Sequence, residues 1–319
     1  MDLDLVKNAV EQFKERGDSN LVFLKDDQGE VYATIFNEKQ RNSDANIQTV
    51  HIPQLQSLKK IHFRKSGTSF YLFENGVLYI DREGRSGKFC SVSVTDFKVV
   101  NHNTVVIYTV DSQLISWRYN IEGVERCSWN TFNHEMSVIA EHVKDWIPIL
   151  SVNLVSFIDE SDYYLMELSQ KVPVRLGCSI LQSAEVWSGS FLLTDNGIVR
   201  VTLNKNDFNL KHFYPRIVSP DETIISICAR MYNPYSGELK LFLLTDKDKL
   251  YMLSEDSSIE QIMPDKRFTA LYDDHCIAID DQGKMYFIFN KVFTPVSKDK
   301  DIVLHPLSYR RKSTKSAYH

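Results

Sequence analysis

Cysteine is sparse and unpaired: Cys90, Cys127, Cys178, Cys228 and Cys276 are scattered through 319 residues, and no two form a C-x-x-C pair. An odd number at wide spacing excludes a disulfide framework and a cysteine-based zinc site, and fits a reduced, intracellular chain. No N-x-S/T sequon occurs, in keeping with that compartment. No run approaches the roughly 18 apolar residues of a transmembrane helix. The opening MDLDLVKNAVEQFKERG is acidic and amphipathic, where a secretory signal would be basic and then apolar. Positive charge is missing from the body of the chain. The formal net charge is -5, and the last ten residues hold Arg310, Arg311, Lys312 and Lys315 with no acid, so residues 1–309 carry -9. That body lacks the electrostatic footprint of a nucleic-acid-binding domain, and direct nucleic-acid binding is not expected.

Catalytic and metal-binding patterns are absent as well. GRSGKF (84–89) has two residues between its glycines where a phosphate-binding loop needs four, and Phe89 follows the lysine in place of Ser or Thr, so it reads as a blade turn. HEMSV (134–138) begins like a helical zinc-protease motif, but Val138 stands where the second histidine must face the metal. Asp246-Lys-Asp248 and Lys298-Asp-Lys-Asp301 have neither the central glycine nor the twelfth-position glutamate of a calcium loop, and read as exposed turns. His62 and His275, in or beside expected strands, read as structural residues. No cofactor, no metal and no enzymatic activity are expected.

What the sequence does contain is a repeated hairpin. The composition, 43% apolar and 25% charged, is that of a globular chain with ample core. An apolar run, a short Asp/Asn/Gly/Ser/Lys turn and a second apolar or aromatic run recur seven times. They are LVFLKDDQGEVYATI (21–35), FYLFENGVLYI (70–80), VVIYTVDSQLISW (105–117), LVSFIDESDYYLM (154–166), FLLTDNGIVRV (191–201), LFLLTDKDKLYML (241–253) and CIAIDDQGKMYFI (276–288). Aligned on the apolar residue after each turn, the anchors are Val31, Leu78, Leu114, Tyr163, Val199, Leu250 and Met285, spaced 47, 36, 49, 36, 51 and 35 residues apart. The mean, about 42, is the length of one four-stranded propeller blade. Seven blades consume nearly the whole chain, and the expected fold is an all-β, seven-bladed β-propeller over 18–307. The acids of the turns, Asp26, Asp27, Asp280 and Asp281 among them, recur too regularly to be a catalytic pair and are expected to set turn geometry.

Outside the blades, Leu5, Val6, Ala9, Val10 and Phe13 fall on one helical face with Gly17 placed to end it, so a short amphipathic helix is expected over 1–17. A helical insertion is expected at HEMSVIAEHVKDW (134–146), where Met136, Ile139 and Val143 have helical spacing. Residues 308–319 form a basic tail expected to be disordered.

The third repeat, TVDSQLISWRYNIEG, resembles the repeat of the regulator-of-chromosome-condensation family through Asp111, Leu114, Ile115, Ser116, Trp117, Asn120 and Gly123. Fragments of the pattern return as LLTDNG (192–197), LLTDKDKLY (243–251) and DDQGKMY (280–286). The chain departs from that glycine-rich family in having 12 glycines, with Ser112 and Arg118 where the pattern has Gly. The Gly-His and Trp-Asp dipeptides of WD repeats do not occur.

These observations give three functional expectations. The first is a non-enzymatic protein–protein interaction scaffold or adaptor. It would bind a protein partner through Leu5, Val6, Val10 and Phe13 of the helix and through Trp129, Phe132, Tyr232 and Tyr235, aromatics in long connections between strands. The second is guanine-nucleotide exchange on a small GTPase, which the family resemblance implies without any wedge residue being matched here. Chromatin association, also implied by the family, is the third. In the tail, Ser313 is a candidate phosphosite beside Arg310, Arg311 and Lys312, which also form a candidate basic address.

Overall fold

The computed structural model describes residues 19–26, 28–37, 48–63, 68–82, 85–101, 103–119, 134–149, 154–159, 162–168, 173–186, 189–195, 197–204, 207–213, 221–231, 239–254, 258–272, 277–289, 292–295 and 304–306. Seven antiparallel sheets of four strands follow one another along the chain. Blade one holds β1 (Ser19–Asp26), β2 (Val31–Asn37) and β3 (Gln48–His51); blade two holds β4 (Leu58–Phe63), β5 (Thr68–Phe73), β6 (Leu78–Arg82) and β7 (Arg85–Lys88). Blade three has β8 (Val94–Asn101), β9 (Thr104–Thr109), β10 (Leu114–Tyr119) and β11 (His134–Ala140); blade four has β12 (Val143–Ile149), β13 (Leu154–Asp159), β14 (Asp162–Glu167) and β15 (Pro173–Arg175). Blade five follows with β16 (Ile180–Val186), β17 (Gly189–Thr194), β18 (Gly197–Asn204) and β19 (Asp207–Phe213). Blade six is β20 (Ile224–Met231), β21 (Leu239–Thr245), β22 (Leu250–Ser254) and β23 (Ile259–Ile262); blade seven is β24 (Phe268–Tyr272), β25 (Ile277–Asp280), β26 (Met285–Phe289) and β27 (Val292–Pro295).

The last strand, β28 (Leu304–Pro306), joins blade one as its inner strand, pairing antiparallel with β1 at Leu24–Pro306, Lys25–His305 and Asp26–Leu304. One C-terminal strand thus completes a sheet begun by three N-terminal strands and closes the ring. The inner strands β12, β16, β20 and β24 pack on their neighbours in sequence around the axis. This is a seven-bladed β-propeller.

The core lies between blades. Phe70, Leu72 and Ile80 of blade two meet Phe97, Val105 and Ile107 of blade three in one buried cluster, into which Trp117 also packs, its ring centroid 5.5 Å from that of Phe89. Val106 and Leu114 of blade three meet the fully buried Trp146 of blade four in the next. Equivalent layers join blades one and two, four and five, five and six, and six and seven. The near-continuous apolar character of the second strands follows: β5 and β9 are buried along their whole length, because both of their faces meet other blades.

Three expectations change. Residues 134–146 are not helical. They form β11, a two-residue corner at Glu141-His142 with His142 at φ +58°, and the start of β12. Met136 is half exposed while Val143 is fully buried, and the two residues with helical spacing belong to different blades. The β-branched pair Val138-Ile139 and the register of β10 with β11 settle the competition in favour of strand. The Val199 anchor is one residue late, because the turn of blade five is a residue shorter and Ile198 pairs with Leu193. Arg85–Lys88 of the glycine-flanked GRSGKF is strand β7, not a turn. The helix expected over 1–17 lies outside the described residues, among which no α-helix occurs.

Candidate functional site

Strands of a blade alternate in direction, so the turn between its second and third strands and the link to the next blade lie at one end. That turn face is built to a common plan. In blades one, two, three, six and seven the N–H of the first turn residue donates to the carbonyl four residues on, and its carbonyl accepts from the N–H three residues on. The fourth residue is left-handed: Gly29 (φ +87°), Gly76 (+78°), Ser112 (+60°), Asp248 (+60°) and Gly283 (+76°). This is a type I turn followed by a bulge residue, the usual three-residue hairpin loop. The duplicated DDQG segments (26–29 and 280–283) are two such turns. Oδ1 of Asp26 accepts the N–H groups of Gln28 and Glu30 at 2.9 and 2.8 Å. Oδ1 of Asp280 accepts those of Gln282 and Lys284 at 3.0 and 2.9 Å.

Asp280 is the more buried of the two. Its Oδ2 also takes the Tyr286 hydroxyl at 2.8 Å and lies 3.4 Å from Lys266 Nζ. Burial works to raise its pKa, but the hydrogen bonds from Tyr286, the Lys284 and Gln282 backbone and Lys266 outweigh it and hold the carboxyl below its ordinary value. Blade six lacks the turn aspartate, having Thr245 there, and Tyr251 donates instead to Glu222 at 3.2 Å. These acids act in turn geometry and packing. Among the described residues no three His, Cys, Asp or Glu side chains gather as a metal site.

The second turn residue carries the surface. Glu74, Val110, Asp195, Asp246 and Asp281 are all exposed, acidic in every case but Val110. Their N–H groups donate to the carbonyls of Ser57, Ser93, Ser179, Thr223 and Arg267, each the residue before the inner strand of the same blade. Across blades, the carbonyls of Gly76, Ser112 and Asp248 accept the N–H of Val94, Val143 and Phe268, the buried residues that open the next inner strand. The turn face is therefore pinned by backbone bonds both within and between blades.

Directly after that opening residue, six inner strands carry a β-bulge whose extra residue is Lys59, Thr95, Lys144, Leu181, Ile225 or Thr269. The following residues are polar in five blades and tie neighbours around the axis. Lys60 Nζ meets Asp96 Oδ1 at 2.8 Å, with both side chains about four-fifths buried. Gln182 donates to the Ile227 carbonyl at 2.9 Å and accepts the Ile227 N–H at 2.9 Å, and the single Ser226 hydroxyl proton is shared between Gln182 Oε1 at 2.9 Å and the Leu271 carbonyl at 2.8 Å. Above this ring, Leu181 and Ile225 are 38% and 50% exposed on adjacent inner strands, and Val110 is 58% exposed in the turn of blade three. The collar thus presents two exposed aliphatic side chains above a ring of hydrogen-bonded polar groups.

The sequence candidates fall elsewhere. Leu5, Val6, Val10, Phe13, Trp129, Phe132, Tyr232, Tyr235, Arg310, Arg311, Lys312 and Ser313 all lie outside the described residues. Trp129 and Phe132 belong to the β10–β11 connection and Tyr232 and Tyr235 to the β20–β21 connection, and both leave from the strand ends opposite the turn face. Leu181 and Ile225 were not singled out. Their signal is two consecutive aliphatics, Ile180-Leu181 and Ile224-Ile225, at the start of strands whose pattern has period two.

Most of the chain superposes on solved propellers. Apo AztD from Citrobacter koseri is 13% identical, covering 88% of this chain and 84% of its own, with a TM-score of 0.51. Prp20p from Saccharomyces cerevisiae, a protein described with its binding properties to Gsp1p and histones, is 11% identical over 83% of this chain and 82% of its own, TM-score 0.51. No protein-family model matches the chain, and no curated protein sequence matches it. At such identities the likeness establishes the propeller fold.

Proposed function

We propose that the protein is a non-enzymatic interaction module, a scaffold or adaptor subunit that holds a partner protein. The observation that carries this reading is the pair Leu181 and Ile225, aliphatics exposed on adjacent inner strands above a collar tied by side-chain hydrogen bonds, at positions where blades two, three, four and seven have Lys or Thr. Exposed apolar groups on a rigid frame cost little conformational entropy on binding. The aromatic connections holding Trp129, Phe132, Tyr232 and Tyr235 would offer a second face, and the helix proposed for 1–17 a third element, flanking a propeller unit over 18–307. The basic segment 308–319 would serve as address or switch through Ser313. Affinity purification from native extract with crosslinking tests the reading: partner crosslinks to either face support it, and recovery of the isolated chain alone overturns it.

Exchange activity on a small GTPase is the second reading. It is favoured by the match of Leu114, Ile115, Ser116 and Trp117 to the family repeat, with Trp117 buried in the blade as a structural repeat residue would be. Absence of accelerated nucleotide release across a panel of GTPases would remove it.

A further inference from the structure

Four acids of the turns, Asp111, Asp195, Asp246 and Asp281, are exposed, and among the described residues none is ion-paired with a cation. Lys25 is paired with Glu74, Lys249 with Glu222, Lys266 with Asp280 and Arg267 with Asp248, while Lys247 and Lys284 are exposed in and beside the turns of blades six and seven. Inside this acidic margin stand Leu181 and Ile225, with Val110 exposed in the turn of blade three. The two aliphatics are held close, because Gln182 and Ser226, the residues that follow them, are hydrogen bonded to each other.

We infer that the turn face docks a basic segment of a partner protein, one that seats an aliphatic or aromatic side chain against Leu181 and Ile225 while its lysines or arginines meet Asp111, Asp195, Asp246 and Asp281. This rests on the interaction reading above and adds the face and the chemistry of the occupant. Charge complementarity favours it: an acidic or nucleic-acid partner would place like charges against Asp111, Asp195, Asp246 and Asp281, whereas a basic one meets carboxylates that form no ion pair among the described residues. The apolar pair supplies the anchor and the rim supplies steering.

The test is selection of random 12-residue peptides displayed on phage against the immobilised full-length chain, with measurement of the selected peptides by fluorescence anisotropy. Enriched peptides should combine Lys or Arg with an aliphatic or aromatic residue. Leu181→Ser with Ile225→Ser should weaken them by about tenfold or more, with unchanged melting temperature. Asp111→Asn with Asp281→Asn, which leaves the apolar pair intact, should weaken them several-fold and flatten their salt dependence. The proposal is overturned by enriched peptides without cations, or by binding indifferent to both double variants. A gain in affinity on truncation after Leu307 would assign the face to the chain's own basic tail and equally overturn it. Failure here alongside native partners crosslinked to the opposite face removes this inference and leaves the interaction reading standing.

Discussion

Tyr286 donates its hydroxyl to Oδ2 of Asp280 at 2.8 Å, across the turn that joins the two middle strands of blade seven. The same pair stands in blade one as Tyr32 and Asp26, at 3.3 Å and in a more open setting. In both, the aspartate organises the turn with Oδ1 and receives the tyrosine of the next strand with Oδ2. The equivalence explains why DDQG-x-x-Tyr is written twice at opposite ends of the chain.

Replacing Asp280 by Asn should cost about 2–3 kcal/mol in urea denaturation at pH 7, since the amide oxygen can still accept the Gln282 and Lys284 N–H groups, but the buried Tyr286 hydroxyl and the Lys266 ammonium then face an N–H donor and the charge is gone. The same change at Asp26 should cost less. The pH dependence has a defined sign. The folded Asp280 pKa lies below the unfolded value of about 3.9, so its contribution is full above that value and is lost as pH falls through the lowered one. The gap between wild type and Asp280→Asn should therefore narrow below about pH 4, and a constant gap down to pH 2 would refute the assignment.

Steric room, not backbone conformation, separates two glycines of the same repeat position. At Gly76 a Cβ would lie 2.4 Å from Ser93 Oγ and 3.3 Å from the Val94 carbonyl, at φ +78°; at Gly29 the nearest atom is Lys25 Cε at 3.5 Å. Gly76→Ala should cost about 2–4 kcal/mol and Gly29→Ala about 1 kcal/mol, the left-handed strain alone. Ser112 already bears that strain at φ +60°, and Ser112→Gly should stabilise by about 0.5–1 kcal/mol. Thermal melts of the three variants should fall in that order.

The seven hairpins were legible because each turn announces itself: Asp, Asn, Gly or Ser interrupts a period-two apolar run, and in five of the turns one loop residue takes left-handed backbone. The strand at 134–140 was not legible, since Met136, Ile139 and Val143 fit a helical period and only pairing with β10, a long-range contact, decides between the two. Nor could spacing reveal the collar. Lys60 and Asp96 are 36 residues apart in sequence and meet only because two blades bring their bulged inner strands together. Leu181 and Ile225 are exposed because a bulge in each inner strand leaves them outside the paired register, which spacing alone does not encode.

Thiol chemistry should discriminate between cysteines. Burial pushes the Cys90 thiol up to about 11, and its Sγ lies against the Val92 carbonyl at 3.7 Å. At pH 8 it is almost wholly protonated and shielded. Alkylation of the native chain with iodoacetamide, followed by peptide mapping, should label Cys178, which is partly exposed, ahead of Cys90 and the fully buried Cys228. Labelling of Cys90 at the rate of a free thiol would show that the interface between blades two and three opens readily.

Ring closure through β28 is the point where three residues carry the most. Leu304, His305 and Pro306 supply the inner strand of blade one, and without them β1 becomes an inner edge with Leu24 and Phe23 of the core uncovered. Only a short ladder is lost, yet it joins the two ends of the chain and is the backbone pairing that ties the C-terminal strand to blade one. Truncation after residue 303 should lower the melting temperature by roughly 10 °C or more and broaden the transition as blade one frays first. Truncation after residue 307 retains the strand and removes only the basic tail, so it should melt like the full chain. Hydrogen exchange places the effect: amides of β1 and β2 should lose protection in the shorter variant while those of β21 and β22 keep theirs, and uniform loss in all four strands would show that the propeller unfolds as one unit without a weak seam.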